Sequence, residues 1–157
     1  MPKVVKLKLE PLTQESFAPY GQAIASVEEA RPVVVKGGLK SKEFTVEAGD
    51  NRRSYFNYHT DAGQAYYPSR HGPIVFMVGR IGAPPPSPEE LRAFHSDGST
   101  GICFYSGVWH AVPIPLERDE LIKSVRGDQD FATHNVDFDY GKEMGLVFEP
   151  DLADIPW

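Results

Sequence analysis

Residues 94–115 read Phe-His-Ser-Asp-Gly-Ser-Thr-Gly-Ile-Cys-Phe-Tyr-Ser-Gly-Val-Trp-His-Ala-Val-Pro-Ile-Pro, in which apolar runs alternate with turn-forming dipeptides. Asp97-Gly98 and Ser106-Gly107 are typical of tight hairpin turns. The second turn brings Trp109 and His110 to the start of a predicted strand. Adjacent side chains of a strand point to opposite faces, so these two cannot both point inward. If His110 faces the interior, Trp109 packs outside or against a partner chain.

The rest of the chain repeats this pattern of short strands and turns. Fourteen Gly and fourteen Pro interrupt it too often for long helices. A short helix capped by Thr13 is predicted over residues 13–21, and a helical turn capped by Ser87 is predicted to lead into residues 91–94. The predicted strands cover residues 43–47, 53–59, 64–67, 74–80, 101–104, 109–114, 119–125 and 145–148. This number of short strands suits a barrel or a sandwich.

Length and composition restrict the class of protein. A chain of 157 residues is long enough for one core, so a single domain over residues 1–157 is predicted. The single cysteine, Cys103, cannot form an intrachain disulfide and is expected to be a buried, inert thiol in a cytoplasmic protein. The longest apolar run, residues 74–78, is strand-sized, so no membrane span is predicted. A net charge of -6 argues against a nucleic-acid partner.

Three blocks resemble the ureidoglycolate lyase family of the cupin superfamily. The first runs from Leu9-Glu10-Pro11-Leu12-Thr13 to Phe17-Ala18-Pro19-Tyr20-Gly21, the second comprises His59 and Gln64-Ala65-Tyr66-Tyr67-Pro68, and the third runs from Leu91-Arg92-Ala93-Phe94 to Val108-Trp109-His110. The resemblance implies a cupin-type double-stranded β-helix, a jelly-roll barrel with one or two short helices. It also implies a homodimer.

Two departures from the family pattern affect the expected pocket. Asn57-Tyr58 stand where family members commonly carry Glu-Arg, and Ala111 stands where many have a second His. The substrate is therefore less firmly implied than the fold.

The reaction implied by the resemblance is cleavage of ureidoglycolate, or of a close ureido or hydroxy acid, to glyoxylate and urea in purine and allantoin catabolism. The catalytic candidates are His110 and His59, because an imidazole accepts or donates a proton near neutral pH. Gln64 can donate to a carboxylate and accept from urea nitrogens, and a guanidinium grips a carboxylate with two hydrogen bonds. The expected substrate-binding residues are Arg92, Gln64, Tyr66, Arg70 and Trp109.

Each candidate also has a purely structural interpretation. On spacing alone, His110 is more often a hydrogen-bonded core histidine, and Arg92 can be an exposed residue paired with Glu89. One of Tyr66 and Tyr67 faces the pocket while the other packs. The segment 134–140 is either a solvated loop, a lid or a dimer contact.

Two other functions remain open at the level of sequence. A metal-dependent cupin needs a His-x-His block with a carboxylate, but His59 is followed by Asp61, and Gln64 stands where the acid is expected. No cofactor is therefore expected. The other alternative is a pocket that binds a small carboxylate without turnover.

The substitution His110→Ala separates a catalytic histidine from a core histidine. We expect it to remove activity while the free energy of unfolding changes by no more than about 3 kcal/mol. Activity assays and thermal unfolding of the same sample measure both effects. A collapsed fold would instead identify His110 as a core residue.

Overall fold

The computed structural model describes residues 2–154, with the side chains of residues 131, 132 and 154 left out. The chain is mainly β, with curled sheets and short helices, which confirms the predicted jelly-roll fold class. No helix in this part of the chain is long and apolar enough to cross a membrane. The strands are β1 (Lys3–Pro11), β2 (Gly21–Ile24), β3 (Leu39–Val46), β4 (Tyr55–His59), β5 (Gln64–Pro68), β6 (Ile74–Ile81), β7 (Arg92–Ser96), β8 (Gly101–Phe104), β9 (Val108–His110), β10 (Ile114–Pro115), β11 (Glu120–Gly127), β12 (Asn135–Asp139) and β13 (Leu146–Asp151).

The helices are single turns at the ends of strands. Thr13 caps α1 as predicted, in a capping box with Ser16, although α1 is shorter than expected. Ser87 likewise forms a capping box with Glu90. The helices are α1 (Gln14–Phe17), α2 (Phe131–His134) and α3 (Tyr140–Met144), with 3-10 turns at Val27–Glu29, Pro88–Glu90 and Leu152–Asp154.

The described strands form two sheets. The larger has the order β12-β4-β9-β6-β7-β1-β13, with β10 pairing to β6, and the smaller has the order β2-β8-β5-β11-β3. One apolar cluster contains Phe76, Phe94, Phe104, Val108 and Ile122, drawn from both sheets. The barrel interior therefore lies between the sheets.

A second apolar cluster covers the opposite face of the larger sheet. It contains Val75, Met77, Trp109, Tyr140 and Phe148. Alternate residues of β6 consequently enter different clusters, and every residue from 74 to 79 is buried. Burial on both faces explains why this strand is a continuous apolar run rather than an alternation of apolar and polar residues.

Arg53 closes the larger sheet around this second cluster. Its backbone exchanges two hydrogen bonds with Phe148 of β13, with N···O distances of 2.9 and 2.8 Å. Its guanidinium donates to four backbone carbonyls, those of Asp50, Arg52, Val112 and Pro113, each at 2.9 Å. One residue thereby joins the segment before β4 to β13 through its backbone and to the segment after β9 through its side chain.

Four strands were not predicted. β1 precedes the helix predicted over residues 13–21, β2 begins at the last residue of that range, and β12 lies in the segment 134–140. The helical turn predicted after Ser87 is present at Pro88–Glu90 but does not continue into residues 91–94, since Arg92 begins β7, which pairs with β6 and β1. Leu, Arg and Ala favour helices, but tertiary pairing overrides that preference.

The expected position of Trp109 is also wrong. Its side chain has no exposed area and lies inside the second cluster of the same chain, rather than outside or against a partner. The reason is that the C-terminal strands β12 and β13, together with α3, cover this face of the larger sheet.

The substitution Arg53→Lys tests the closure of the larger sheet. An ammonium cannot reach four carbonyls at once, so we expect a loss of about 2 kcal/mol in the free energy of unfolding. Arg52→Lys is the matched control, because Arg52 is exposed and makes one ion pair, with Glu149. Its effect should stay within about 0.5 kcal/mol. Urea denaturation of both variants measures the difference, and equal effects would contradict the role given to Arg53.

Candidate functional site

A pocket of about 160 Å³ opens between the two sheets beside His110. The larger sheet contributes β4 and β9, and the smaller sheet contributes β3, β5 and β11. The lining residues are Phe44, Tyr55, Asn57, His59, Gln64, Tyr66, His110, Ala111, Val112 and Arg126. The pocket therefore contains four of the sequence candidates: His110, His59, Gln64 and Tyr66.

His110 faces the pocket as a neutral imidazole. Its Nδ1 lies 3.0 Å from the carbonyl oxygen of Val108. A carbonyl only accepts, so Nδ1 carries the hydrogen and Nε2 is left with a lone pair. Burial, and to a lesser extent the charge of His59, lowers the pKa of His110 to about 3. His110 is thus a hydrogen-bond acceptor over the physiological pH range.

His59 lies beside it, with 5.0 Å between the two ring centroids. It is the last residue of β4, and its carbonyl accepts from the backbone N–H of Gly107 and from Ser106 Oγ. Burial lowers the pKa of His59, while the Asp61 carboxylate and Gln64 act in the opposite direction. Of the two imidazoles, His59 is therefore the one whose proton is favoured by a neighbouring carboxylate, although the Arg126 guanidinium acts against that effect.

Two amides present acceptor oxygens to the pocket. Gln64 Nε2 donates to Ser124 Oγ at 3.1 Å. Gln64 Oε1 and Asn57 Oδ1 are buried and have no hydrogen-bond partner among the described residues. A buried acceptor without a donor is unfavourable by about 1–3 kcal/mol, so these oxygens are suited to a ligand that carries N–H groups.

Arg126 is the lining residue that brings a full charge to the described part of the pocket. Burial lowers the pKa of its guanidinium, and Tyr66 and Asp61 oppose that effect. Sequence reasoning missed Arg126, because the predicted strand stopped at residue 125. The signal was nevertheless available, since Arg126 has the same parity in β11 as the inward-facing Ile122 and Ser124.

Aromatic and apolar side chains complete the walls. Tyr66 packs edge-on against Phe44, with ring centroids 6.0 Å apart, and against His110 at 5.9 Å. Burial raises the pKa of Tyr66, so its phenol stays protonated. Tyr67, on the opposite face of β5, donates instead to the Ala25 carbonyl at 3.0 Å. Tyr55 and Val112 form a partly exposed rim.

The two arginines predicted to bind a carboxylate lie elsewhere. Arg92 is exposed on β7, where its guanidinium donates to the Glu89 carbonyl at 2.7 Å and approaches Glu10 at 3.9 Å. Arg70 lies in the turn after β5, and its backbone N–H donates to Glu120. Neither lines the pocket.

Trp109 also lies apart from the pocket, on the opposite face of β9. Its indole N–H donates to the Gly82 carbonyl at 2.8 Å, and its ring packs against Tyr58 with centroids 4.8 Å apart. Tyr58 thus belongs to the second cluster. Of the two residues that depart from the family pattern at positions 57 and 58, Asn57 is the one that reaches the pocket. Ala111 lies at the boundary of both regions.

The lining residues do not suit a divalent cation. Residues 2–154 contain no cluster of three His, Cys, Asp or Glu side chains arranged to hold a metal ion, with masked side chains left aside. His110 donates from Nδ1 to a carbonyl, the remaining donors include two neutral amides, and the Arg126 guanidinium would repel a cation. We therefore derive no step through a metal.

The fold and the pocket define a small-molecule enzyme of the jelly-roll barrel class. The chain belongs to the ureidoglycolate lyase family, whose model matches residues 47–142. A ureidoglycolate lyase of Pseudomonas aeruginosa is 30% identical over 137 residues, covering 74% of this chain and 80% of that protein. Ureidoglycolate lyases of Pseudomonas savastanoi pv. phaseolicola and Pseudomonas syringae pv. tomato are each 27% identical, over 93% and 92% of this chain and 96% of each relative.

The neutral state of His110 predicts a pH dependence of stability. Its pKa of about 3 in the fold lies below the ordinary value of 6.5, so the unfolded chain binds the proton more readily. The contribution of neutral His110 to the free energy of unfolding is therefore complete above pH 6.5 and is lost as the pH falls toward 3. Between pH 7 and about pH 4, we expect the free energy of unfolding of the His110→Gln variant to fall by about 3 kcal/mol less than that of the unsubstituted protein. Urea denaturation at both pH values measures this difference, and parallel losses would contradict a neutral, buried His110.

Proposed function

We propose that this protein is a ureidoglycolate lyase, which cleaves ureidoglycolate to glyoxylate and urea in purine and allantoin nitrogen catabolism. One observation carries the proposal: the pocket combines a guanidinium with two buried acceptor oxygens that lack donors among the described residues. Arg126 matches the substrate carboxylate, and the oxygens of Asn57 and Gln64 match the ureido N–H groups.

In the proposed reaction, the substrate hydroxyl lies between the two imidazoles. The single hydrogen of the hydroxyl points to His59, and the lone pair on His110 Nε2 accepts a hydrogen bond from a ureido N–H group and orients the substrate. His59 removes the hydroxyl proton, because the Asp61 carboxylate favours its protonated form. As the oxygen forms the carbonyl of glyoxylate, the carbon–nitrogen bond breaks and its electron pair goes to nitrogen. His59 then returns the proton to that nitrogen, and urea leaves.

We also propose that the protein acts as a cytoplasmic homodimer in which residues 1–157 form one domain. The free thiol of Cys103 is buried, and burial raises its pKa, which is compatible with a reducing compartment. Val33 and Val35 are 62% and 66% exposed, and they offer apolar surface for a contact between copies. Size-exclusion chromatography with light scattering tests the dimer.

Turnover of ureidoglycolate is the decisive experiment. We expect release of glyoxylate and urea in equal amounts from the purified protein. Binding of ureidoglycolate without release of either product would favour the alternative of a non-catalytic carboxylate-binding protein.

The substitution Arg126→Gln tests the carboxylate site. Loss of a charge-assisted pair is expected to raise KM about 30-fold, since such a pair is worth about 2 kcal/mol. Arg92→Gln is the matched control, because Arg92 is an exposed arginine outside the pocket, and its KM should change less than about twofold. Steady-state kinetics of glyoxylate release measure both variants. A raised KM for Arg92→Gln alone would overturn the assignment of Arg126.

A further inference from the structure

Strand β12 extends the polar wall of the pocket beyond the residues that line the cavity. It pairs antiparallel with β4, in a register that places Asn135 opposite His59 and Asp137 opposite Asn57. Residues directly opposite each other in such a pair have their side chains on the same face of the sheet. Asn135 and Asp137 therefore share the face of Asn57 and His59, which line the pocket.

The packing of the other face of β12 agrees with this assignment. Val136 lies opposite Tyr58, and Phe138 lies opposite Phe56. All four side chains belong to the second cluster, on the far side of the larger sheet. β12 thus turns an apolar face to that cluster and a polar face to the pocket, as the alternation of residues 135–139 requires.

The side-chain amide of Asn135 is anchored at its nitrogen. Nδ2 donates to Asp137 Oδ1, on the same face of the strand. This bond identifies the donor end of the amide, so Oδ1 is the end left to accept from another group. Oδ1 is buried, and it has no hydrogen-bond partner in the part of the chain that the structure describes. Asp137 also contacts Tyr55, whose pKa is raised by burial and then by a hydrogen bond to this carboxylate.

A histidine that removes a hydroxyl proton needs its two ring nitrogens in different states. The nitrogen that faces the hydroxyl keeps a lone pair, so the other nitrogen carries the hydrogen of the neutral ring. His59 is 7% exposed, and a buried N–H without an acceptor is unfavourable. Asn135 is its direct cross-strand neighbour, and the Cβ atoms of such a pair are about 5 Å apart. A hydrogen bond to Asn135 also raises the pKa of His59, against the larger effect of burial.

The charges near His59 set its pKa, whereas a hydrogen-bond acceptor selects its tautomer. The Asp61 carboxylate raises the pKa of His59, and the Arg126 guanidinium lowers it. The titratable groups around the ring are Asp61 in the turn after β4, Tyr66 on β5, His110 on β9, Arg126 on β11 and, beyond Asn135 on β12, Asp137.

We propose that Asn135 is a positioning residue, which accepts the imidazole N–H of His59 and so keeps the lone pair of the other ring nitrogen toward the substrate hydroxyl. This inference rests on the proposed function. Gln64 Oε1, the other amide oxygen beside His59, lies on the smaller sheet and is matched there to a ureido N–H group. Asp137 contributes to the same arrangement, because it holds the nitrogen end of the Asn135 amide.

Two substitutions of Asn135 and one control test this role. Asn135→Leu keeps the size of the side chain and removes the acceptor, whereas Asn135→Asp keeps an acceptor oxygen and adds a charge. Asp139→Asn is the matched control, because Asp139 is on the same face of the same strand, opposite Tyr55, where its carboxylate caps α3. Thermal unfolding of each variant checks that it is folded.

We expect Asn135→Leu to lower kcat for glyoxylate release about 30-fold, since a hydrogen bond to a ring that becomes charged is lost. KM should change less than about threefold, because Asn135 acts on the base rather than on bound substrate. The acid limb of the pH profile of kcat/KM reports the base in the free enzyme, and it should move to lower pH.

Asn135→Asp should keep kcat within about threefold and move the acid limb to higher pH, because an anion favours protonated His59. Asp139→Asn should leave kcat and the acid limb unchanged. A merely structural role of Asn135 would not move the limb in opposite directions in the two variants. Unchanged kcat for Asn135→Leu, an acid limb that stays in place in both variants, or an equal effect of Asp139→Asn would overturn the proposal.

The tautomer of His59 can also be measured without turnover, by NMR of protein labelled with 15N-histidine. His59→Gln assigns the His59 ring signals among those of the five histidines. We expect one tautomer in the unsubstituted protein and in Asn135→Asp, and a mixture of two in Asn135→Leu. If the unsubstituted protein releases no glyoxylate, the proposed function fails, whereas loss of the single tautomer in Asn135→Leu still supports the role of Asn135 and an unchanged ring spectrum overturns it.

Discussion

Adjacent side chains of β9 point to opposite faces of the larger sheet, and both faces are buried. The His110 side chain enters the barrel interior, where the Val108 carbonyl fixes its tautomer. The Trp109 side chain enters the second cluster, where its indole N–H donates to the Gly82 carbonyl. Neither side chain can move without disturbing a packed core. The geometry of the pocket therefore depends on this strand being packed on both sides.

Burial makes charged side chains unfavourable in the pocket, so most of its polar groups are neutral. Two imidazoles are kept neutral by burial, two amides contribute dipoles, and one guanidinium provides the full charge among the described lining residues. None of the described lining residues is acidic, so the arrangement suits an anionic group of a ligand.

The strands that carry the site could be predicted because their composition is dictated by burial. β6 is apolar throughout since both its faces are covered, and β4, β5 and β9 lie between clear turn signals. β1 was missed although Val5, Leu7 and Leu9 alternate with lysine, which is the pattern of a strand with one buried face. β7 was not predictable from its own residues, because its pairing with two distant strands decides its conformation.

The histidines and Gln64 could be identified from the family blocks, but the cation could not. Whether Arg92 or Arg126 reaches His110 depends on which strands face one another across the barrel, and that is a property of the topology rather than of local spacing. The burial of Asp61 is still less visible from the sequence, because its carboxylate lies against Gly127, which is 66 positions away along the chain.

β3 lies at the edge of the smaller sheet, and its outer N–H and C=O groups are available to any other strand. Most of this strand is exposed, and its sequence places Lys40, Lys42 and Glu43 side by side. Two copies that paired in register along this edge would bring like charges into opposition, whichever of these residues lay on the symmetry axis. The charges along this edge therefore disfavour the strand pairing between folded molecules from which fibrils grow.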